Sequence, residues 1–87
     1  MRFEVELLVT LKPGIADPQG KAVESALPAL GWTNVSSVRI GKHIHLELEA
    51  TNEDAARSQV GEMAGRLLSN PVIEDATVLD VAALEDA

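Results

Sequence analysis

The sequence predicts an α+β domain in which four strands and two helices alternate along 87 residues. Apolar side chains occupy every second position from Phe3 to Leu11, which is the period of a half-buried strand. Two later stretches carry apolar residues at helical spacing, and each begins after a residue type that caps helices, Asp17 and Asn52. Because alternation of period two returns after each helix, both helices belong to a domain built around one sheet.

The first helix follows the first strand through the sequence LKPGIADPQGKAV, residues 11–23. Asp17 is suited to the helix cap, and Pro18 to the first helical position, where no backbone N–H is needed. Pro28 lacks the N–H that a continuing helix would use, so we expect a kink or an early helix end there. The predicted buried stripe of this helix consists of Ala22, Val23, Ala26, Leu27 and Leu30.

Two strands are predicted between the helices. The first runs from Val35 to Lys42, with Val38 and Ile40 inward, and Gly41-Lys42 forms a tight hairpin turn. The second is the sequence HIHLELEA, residues 43–50. Its inward residues are Ile44, Leu46 and Leu48, and its outward residues are His43, His45, Glu47 and Glu49.

The second helix begins after Asn52, where acidic residues such as Glu53 favour the first turn. The pair Asn70-Pro71 ends it, because proline cannot continue a helix. Its predicted buried face consists of Ala56, Val60, Met63, Ala64 and Leu67.

The last strand is predicted from Val72 to Val81, which gives a single domain over residues 1–82 and a short acidic tail over residues 83–87. Chain-order rules then favour the ferredoxin-like β-α-β-β-α-β arrangement, a four-stranded antiparallel sheet with two helices on one face. The helix-free face is rich in charge, so it is either solvated or covered by a partner. Its predicted members are Glu4, Glu6, Leu8, Arg39, His45, Glu47 and Glu49.

Composition excludes several classes of function. The net charge of −7 argues against nucleic acid and against an anionic membrane surface, since both attract basic proteins. There is no cysteine, which excludes disulfides and thiolate chemistry. Glu4 and Glu6 interrupt any signal-peptide core, and no apolar run reaches the roughly 18–20 residues of a membrane span. We therefore expect a cytoplasmic protein.

Gly20-Lys21 raises the question of a phosphate-binding loop. That motif needs four residues between its glycines and a Ser or Thr after the lysine, which holds magnesium. Here five residues separate Gly14 from Gly20, and Ala22 replaces the hydroxyl. The sequence therefore disfavours nucleotide binding at this loop.

His43 and His45 share one face of their strand, with Glu47 continuing the row, so these side chains could in principle ligate a metal. A catalytic metal usually needs three protein ligands with supporting groups, which the sequence does not indicate, and an exposed strand face is favoured. The carboxylates of neighbouring strands could exchange protons only if burial separated their pKa values. No catalytic, cofactor-binding or metal-ligating residue is predicted.

Three sequence blocks carry a resemblance to a known family: residues 11–23, VRIGK at residues 38–42 and LLSNPVIED at residues 67–75. In this order and spacing they resemble the PurS family, the small subunit of phosphoribosylformylglycinamidine synthase, over nearly the whole chain. The resemblance implies a non-catalytic accessory subunit of de novo purine biosynthesis. It also implies association into a homodimer or homotetramer.

The resemblance further implies two larger partners. One is a glutaminase subunit that releases ammonia from glutamine. The other is a synthetase subunit, dependent on ATP and Mg, that uses the ammonia to convert formylglycinamide ribonucleotide to its amidine. The small subunit would bridge the two and assist ammonia transfer, with ATP and Mg held by the synthetase and no cofactor in this chain.

Rigid or outward positions near the first turn suggest where partners dock. The predicted interface consists of Lys12, Pro13, Gly14, Gln19, Lys21, Arg39 and Lys42. The alternative is that Pro13, Gly14 and Gly20 serve only the turn. Two other functions remain open at this point: a ferredoxin-like regulatory module that binds a small molecule, and a small independent enzyme that uses His43, His45 and carboxylates.

Overall fold

The computed structural model describes residues 1–84, in which three strands form one sheet and two helices accompany it. The sheet order is β2-β1-β3, and both pairings are antiparallel. Two helices are extended by a short turn of another type. The elements in chain order are β1 (Arg2–Leu11), α1 (Pro18–Ala26) with a 3-10 turn (Leu27–Leu30), β2 (Gly41–Glu49), α2 (Glu53–Met63) with a π turn (Ala64–Leu68), and β3 (Glu74–Leu84).

β1 is the central strand, and its regular alternation gives the half-buried strand that the sequence predicts. Its inward side chains Phe3, Val5, Leu7 and Val9 are at most 2% exposed. β1 pairs with β3 along one of its edges. The register of this pairing shifts between Glu6 and Leu7 of β1, where β3 has an extra residue that forms a bulge. This bulge explains why the alternation of the last strand is irregular in the sequence.

α2 covers the inward side of β1 and β3. The Asn52 side chain accepts a hydrogen bond from the Ala55 amide at 2.8 Å, which confirms the predicted cap. The buried core cluster joins β1 and β3 to this helix and its π turn. It consists of Phe3, Val5, Leu7, Ala56, Val60, Ala64 and Val81.

The prediction that Leu67 is buried is wrong, because its exposure is 84%. The last part of this helix is a π turn, which has more residues per turn than an α-helix. The wider turn swings Leu67 away from the sheet. Leu68 packs against the core in its place.

The predicted strand from Val35 to Lys42 is also wrong, so the four-stranded ferredoxin-like sheet is replaced by a three-stranded one. The Val38 amide donates to Glu24 Oε1 at 3.2 Å, and the Ile40 amide donates to Asp17 Oδ2 at 2.7 Å. Side chains at and after the cap of α1 thus occupy donors that a strand ladder would use. Ser37, with φ of 58°, interrupts the extended backbone as well. Gly41-Lys42 begins β2 instead of forming a hairpin turn.

α1 begins and ends as predicted, but its stripe is not buried. Asp17 caps it, the α-helix ends at Ala26, and Gly31 terminates the following 3-10 turn with φ of 105°. Among the predicted stripe residues, Val23 is 42% and Leu30 is 69% exposed, and the core cluster contains no residue of α1. The helix packs on residues 38–40 instead of on the sheet.

The described residues form two parts with different packing. We call residues 12–40 the arm, and β1, β2, α2 and β3 with their connections the body. The radius of gyration is 16.8 Å, whereas a compact domain of this length would have about 12 Å. The extents of 51 × 31 × 15 Å show the same elongation.

The C-terminal strand runs beyond the predicted domain boundary. Ala83 and Leu84, assigned to the acidic tail by sequence, are the last residues of β3. The rest of that predicted tail, residues 85–87, lies outside the described residues. None of the helices in residues 1–84 is long and apolar enough to cross a membrane.

Candidate partner-docking site

The corner, residues 12–21, runs from the end of β1 into the first turn of α1. The Lys12 amide donates to the Ile73 carbonyl at 2.8 Å, and the Ile15 amide donates to the Lys12 carbonyl at 3.1 Å. Gly14 has φ of 85°, a conformation that favours glycine. Pro13 and Gly14 are exposed at the tip of a turn that is fixed at its base.

Asp17 accepts hydrogen bonds from the start of α1 and from the end of the arm. Its Oδ1 accepts from the Gly20 amide at 2.9 Å, and its Oδ2 accepts from the Ile40 amide at 2.7 Å. The hydrogen bond from Ile40, followed by that from Gly20, holds the pKa of this carboxyl below its ordinary value; the charge of Arg39 lowers it further, against the effect of desolvation. Asp17 is therefore a helix cap and a tie to the end of the arm at once.

Glu24 makes a second tie, about two helical turns further along α1. Its Oε1 accepts from the Val38 amide, and its Oε2 lies 3.3 Å from Lys21 Nζ. The Val38 hydrogen bond, and then the Lys21 contact, lower the pKa of Glu24. Together, Asp17 and Glu24 attach α1 to residues 38–40.

Arg39 lies against the corner and not on the sheet face where the sequence predicted it. Its Nη1 donates to the Ile15 carbonyl at 3.0 Å, and its Nη2 lies 3.3 Å from the carbonyls of Leu11 and Lys12. A guanidinium can make several such bonds because its donors are held in a planar fork. Arg39 thus stabilises the corner from the side of the arm.

The three predicted lysines differ in how far they are engaged. Lys12 Nζ lies 3.2 Å from Asp75 Oδ1, and Lys42 Nζ lies 3.4 Å from the Leu68 carbonyl. The side chain of Lys21 is 76% exposed and is available to a partner, because its contact with Glu24 is a surface ion pair.

Two clefts meet at Asp17 and Pro18, and four of the predicted interface residues surround them. A cleft of about 530 Å³ is lined in part by Lys21 and Arg39. A neighbouring cleft of about 300 Å³ is lined in part by Gln19 and Lys42. The structure thus brings Gln19, Lys21, Arg39 and Lys42 together, whereas Lys12, Pro13 and Gly14 lie outside both linings.

A second polar cluster lies on the helix-free face of the sheet. His45 pairs with Glu4 across β1 and β2, and His43 Nε2 lies 3.8 Å from Glu6. The hydrogen bond with Glu4, together with the nearby carboxylates, raises the pKa of His45 despite partial desolvation. Ligand atoms of Glu4, Glu6 and His45 lie within 4.8 Å of one another and could hold a metal. All three are open to solvent, and the imidazole already has a carboxylate partner.

Sequence reasoning missed the long-range contacts of Asp17 and Glu24. The capping role of Asp17 follows from Asp-Pro at a helix start, but its contact with Ile40 spans 23 residues. From the sequence alone, Glu24 is expected to be only a solvent-exposed residue of the first helix. No local signal identifies a carboxylate that accepts from a distant backbone amide.

The fold and the corner define a small α+β protein that presents a stiff polar surface beside two clefts. The family profile of PurS, phosphoribosylformylglycinamidine (FGAM) synthase, matches residues 4–81. The FGAM synthase subunit PurS of Synechocystis sp. is 46% identical over 85 residues, which are 98% of this chain and 84% of that protein.

Solved structures agree with the profile. Thermus thermophilus PurS has a TM-score of 0.82 and 40% identity, and the match covers 98% of this chain and 100% of that one. A chain in the structure of PurLQS from Thermotoga maritima has a TM-score of 0.80 and 33% identity, with 97% and 99% covered. The chain belongs to the PurS family, and it is a small accessory subunit of FGAM synthase, a ligase of purine biosynthesis.

Proposed function

We propose that this chain bridges the glutaminase and synthetase subunits of FGAM synthase and assists the transfer of ammonia between them. The observation that carries the proposal is its similarity, along almost its whole length, to a chain of the PurLQS structure. ATP and Mg would be held by the synthetase, and the complex would act in the cytoplasm.

Ammonia chemistry gives the physical reason for such a subunit. Ammonia released into water is protonated and diffuses away, so transfer requires docked sites from which solvent is excluded. A bridging subunit needs a surface of fixed shape. Asp17, Glu24 and Arg39 provide that stiffness at the corner, because each ties two segments that are distant in sequence.

The exposed part of the corner is the proposed contact with a larger subunit. Pro13, Gly14, Gln19 and Lys21 are exposed there and can be covered without breaking an internal hydrogen bond of their side chains, apart from the surface pair of Lys21. Arg39 and Lys42 would act differently. Their side chains already contact backbone carbonyls, so they shape this surface as well as charge it.

Self-association is the second element of the proposal. A chain of 87 residues buries a modest share of its surface alone, and small domains often gain stability by forming oligomers. We propose that the chain acts as a homodimer or a homotetramer.

Reconstitution tests the bridging function. Purified synthetase and glutaminase would be assayed for amidine formation from glutamine and ATP, with and without this chain. Activity with glutamine should require the chain, whereas activity with added ammonium should not, because ammonium bypasses transfer. If the chain leaves the glutamine-dependent rate unchanged, the proposal fails.

The corner contact has its own test. Lys21→Glu should weaken capture of the chain by the larger subunits, because it reverses the most exposed charge of the corner. Arg66→Glu, an equal change of charge at an exposed position near the end of α2, is the matched control. Equal capture of both variants would remove Lys21 from the interface.

A further inference from the structure

The helix-free face of the sheet gathers side chains of two strands that can ligate a metal. Glu6 lies directly opposite His45 in the register of β1 and β2, and Glu4 is the diagonal neighbour of His45. Ligand atoms of these three residues all lie within 4.8 Å of one another. The sequence disfavoured a metal at the row of His43, His45 and Glu47. It shows which residues share one strand, but not the register that places Glu4 and Glu6 beside His45.

Glu4 and Glu6 converge although both are carboxylates. They stand two residues apart on one strand, so their backbone positions are separated by about 7 Å, whereas their carboxylate oxygens approach within 4.8 Å. Carboxylates this close repel each other unless a cation lies between them. Among residues 1–84, their ion-pair partners are histidines: His45 for Glu4 and His43 for Glu6. A histidine is only partly charged near neutral pH, so the group leaves room for a stronger cation.

The distances in the group suit a small cation with tetrahedral ligands. Zinc lies about 2.0–2.2 Å from imidazole nitrogens and carboxylate oxygens, which places two of its ligand atoms about 3.3 Å apart. In the structure, Glu4 Oε1 and His45 Nε2 are 2.5 Å apart, and the longest separation within the group is below 4.8 Å. The zinc spacing falls between these two values. Rotation of exposed side chains is therefore enough to form the site, and the backbone need not move.

The backbone that carries these ligands is held firmly. β1 is the central strand and pairs on both sides. Its alternate residues Phe3, Val5 and Leu7 are at most 2% exposed on the opposite face, so Glu4 and Glu6 project from the best-packed part of the body. Ligands on a rigid element lose little conformational freedom when a metal binds, which favours binding.

The donor set and the surrounding charge indicate which metal fits. Magnesium and calcium are bound almost entirely by oxygen, whereas an imidazole with carboxylates is a typical zinc set. Asp80 is the register partner of Glu6 on β3, so a further carboxylate faces the same place from the other side of β1. Arg2, the nearby arginine on this face, is already paired with Glu47. The neighbourhood is therefore negative and attracts a dication.

We propose that Glu4, Glu6 and His45 bind one Zn²⁺ on the helix-free face of the sheet. The metal takes the place of the direct contact between Glu4 and His45. Its fourth position faces solvent and holds a water molecule. The bound ion joins β1 to β2 through side chains and neutralises part of the acidic face. This site is separate from the corner, and its proposal does not depend on the bridging function.

Calorimetric titration with ZnCl2 tests the site. The chain should carry no histidine tag, which would itself bind zinc, and should be treated with a chelator before the titration in a buffer that does not bind metals. We expect saturable binding of one Zn²⁺ per chain with a micromolar dissociation constant. MgCl2 at the same concentrations should give no saturable binding, because magnesium disfavours imidazole ligands. Equal binding of the two metals would reduce the group to an acidic surface and overturn the proposal.

Matched variants assign the ligands. His45→Gln and Glu6→Gln should each weaken zinc binding by more than about tenfold, since a direct ligand contributes at least as much as a group that only orients ligands. His43→Gln and Glu49→Gln remove the same chemical groups from exposed positions of the same face, outside the three ligands. They should bind zinc as the unchanged chain does. An equal loss in His43→Gln and His45→Gln, or no loss in any variant, would overturn the assignment.

Two further readouts separate a specific site from general attraction to an acidic protein. The chain has two histidines, so their imidazole signals in nuclear magnetic resonance can be told apart with His43→Gln. Zinc should shift the signal of His45 and leave that of His43 nearly in place. Zinc should also raise the melting temperature of the unchanged chain and not that of His45→Gln, because only a ligand bound to the folded state stabilises it. Melting without zinc verifies that each variant is folded. Equal shifts at both histidines would contradict the site.

Discussion

The body and the arm are stabilised by different interactions. In the body, the apolar side chains of the core are at most 8% exposed and pack between a helix and a sheet. In the arm, the fixed contacts are hydrogen bonds from backbone amides to Asp17 and Glu24 and from Arg39 to carbonyls. The two regions should therefore respond to different changes: the body to the loss of buried side-chain volume, and the arm to the loss of a hydrogen-bond acceptor.

The largest effect is expected from a cavity in the body. Leu7→Ala removes a side chain that is 1% exposed, and it should lower the free energy of unfolding by about 2–5 kcal/mol. The same substitution at Leu67, which is 84% exposed, should change it by less than about 0.5 kcal/mol. Urea unfolding followed by circular dichroism measures both. Equal losses would mean that the body is not the stabilising core.

A smaller and local effect is expected from Asp17→Ala. It removes the acceptor of the Gly20 and Ile40 amides, so amide exchange should accelerate at residues 18–26 and 38–40. Exchange of α2 should stay slow, because no contact of Asp17 reaches it. Asp80→Ala, at an exposed acidic position of β3, serves as the control. If α2 opened together with the arm, the two regions would be one cooperative unit.

Acid should loosen the arm before the body. The pKa values of Asp17 and Glu24 are lowered from 3.8 and 4.5, so their stabilisation is complete above those values and is lost as pH falls through the lower folded values. Trp32 is the chain's single tryptophan and lies on the arm, so its fluorescence reports this region. We expect its acid transition to weaken in Asp17→Asn, where the side chain no longer titrates. A transition identical in both proteins would contradict the assignment.

The smallest effect belongs to the helix-free face of the sheet. The pKa of His45 is raised from 6.5, so the pair with Glu4 stabilises the fold below that value and is lost as pH rises through the folded pKa. The melting temperature should fall slightly over this range in the unchanged chain. His45→Gln should remove that slope, and His43→Gln should retain it. A slope that survives His45→Gln would assign it to another group.

The same contrast explains which parts of the fold could be predicted from sequence. β1, β2 and α2 follow from periodicity and caps, because neighbouring residues determine them and packing agrees with the pattern. The pattern failed at Leu67, where a π turn rotated the helix face, and at residues 35–40, where distant carboxylates took the backbone donors. Both failures depend on geometry that no local window of sequence contains.

The candidate site shows the same limit. The exposure of Gln19 and Lys21 follows from turn chemistry and helix phase, and the structure confirms that exposure. Arg39 was assigned to a strand face because the predicted strand placed it there. Its actual position depends on two long-range hydrogen bonds that form in place of strand pairing. Arg39 donates to the Ile15 carbonyl, and the Ile40 amide donates to Asp17.

The missing fourth strand also affects solubility. It leaves the outer side of β2 without a strand neighbour in the described residues, along nine residues of extended backbone. Such open edges can template aggregation between chains, and proteins commonly protect them with charged side chains. β2 carries Lys42, Glu47 and Glu49 among its exposed residues. These charges, of both signs, would keep free chains from stacking edge to edge before they assemble.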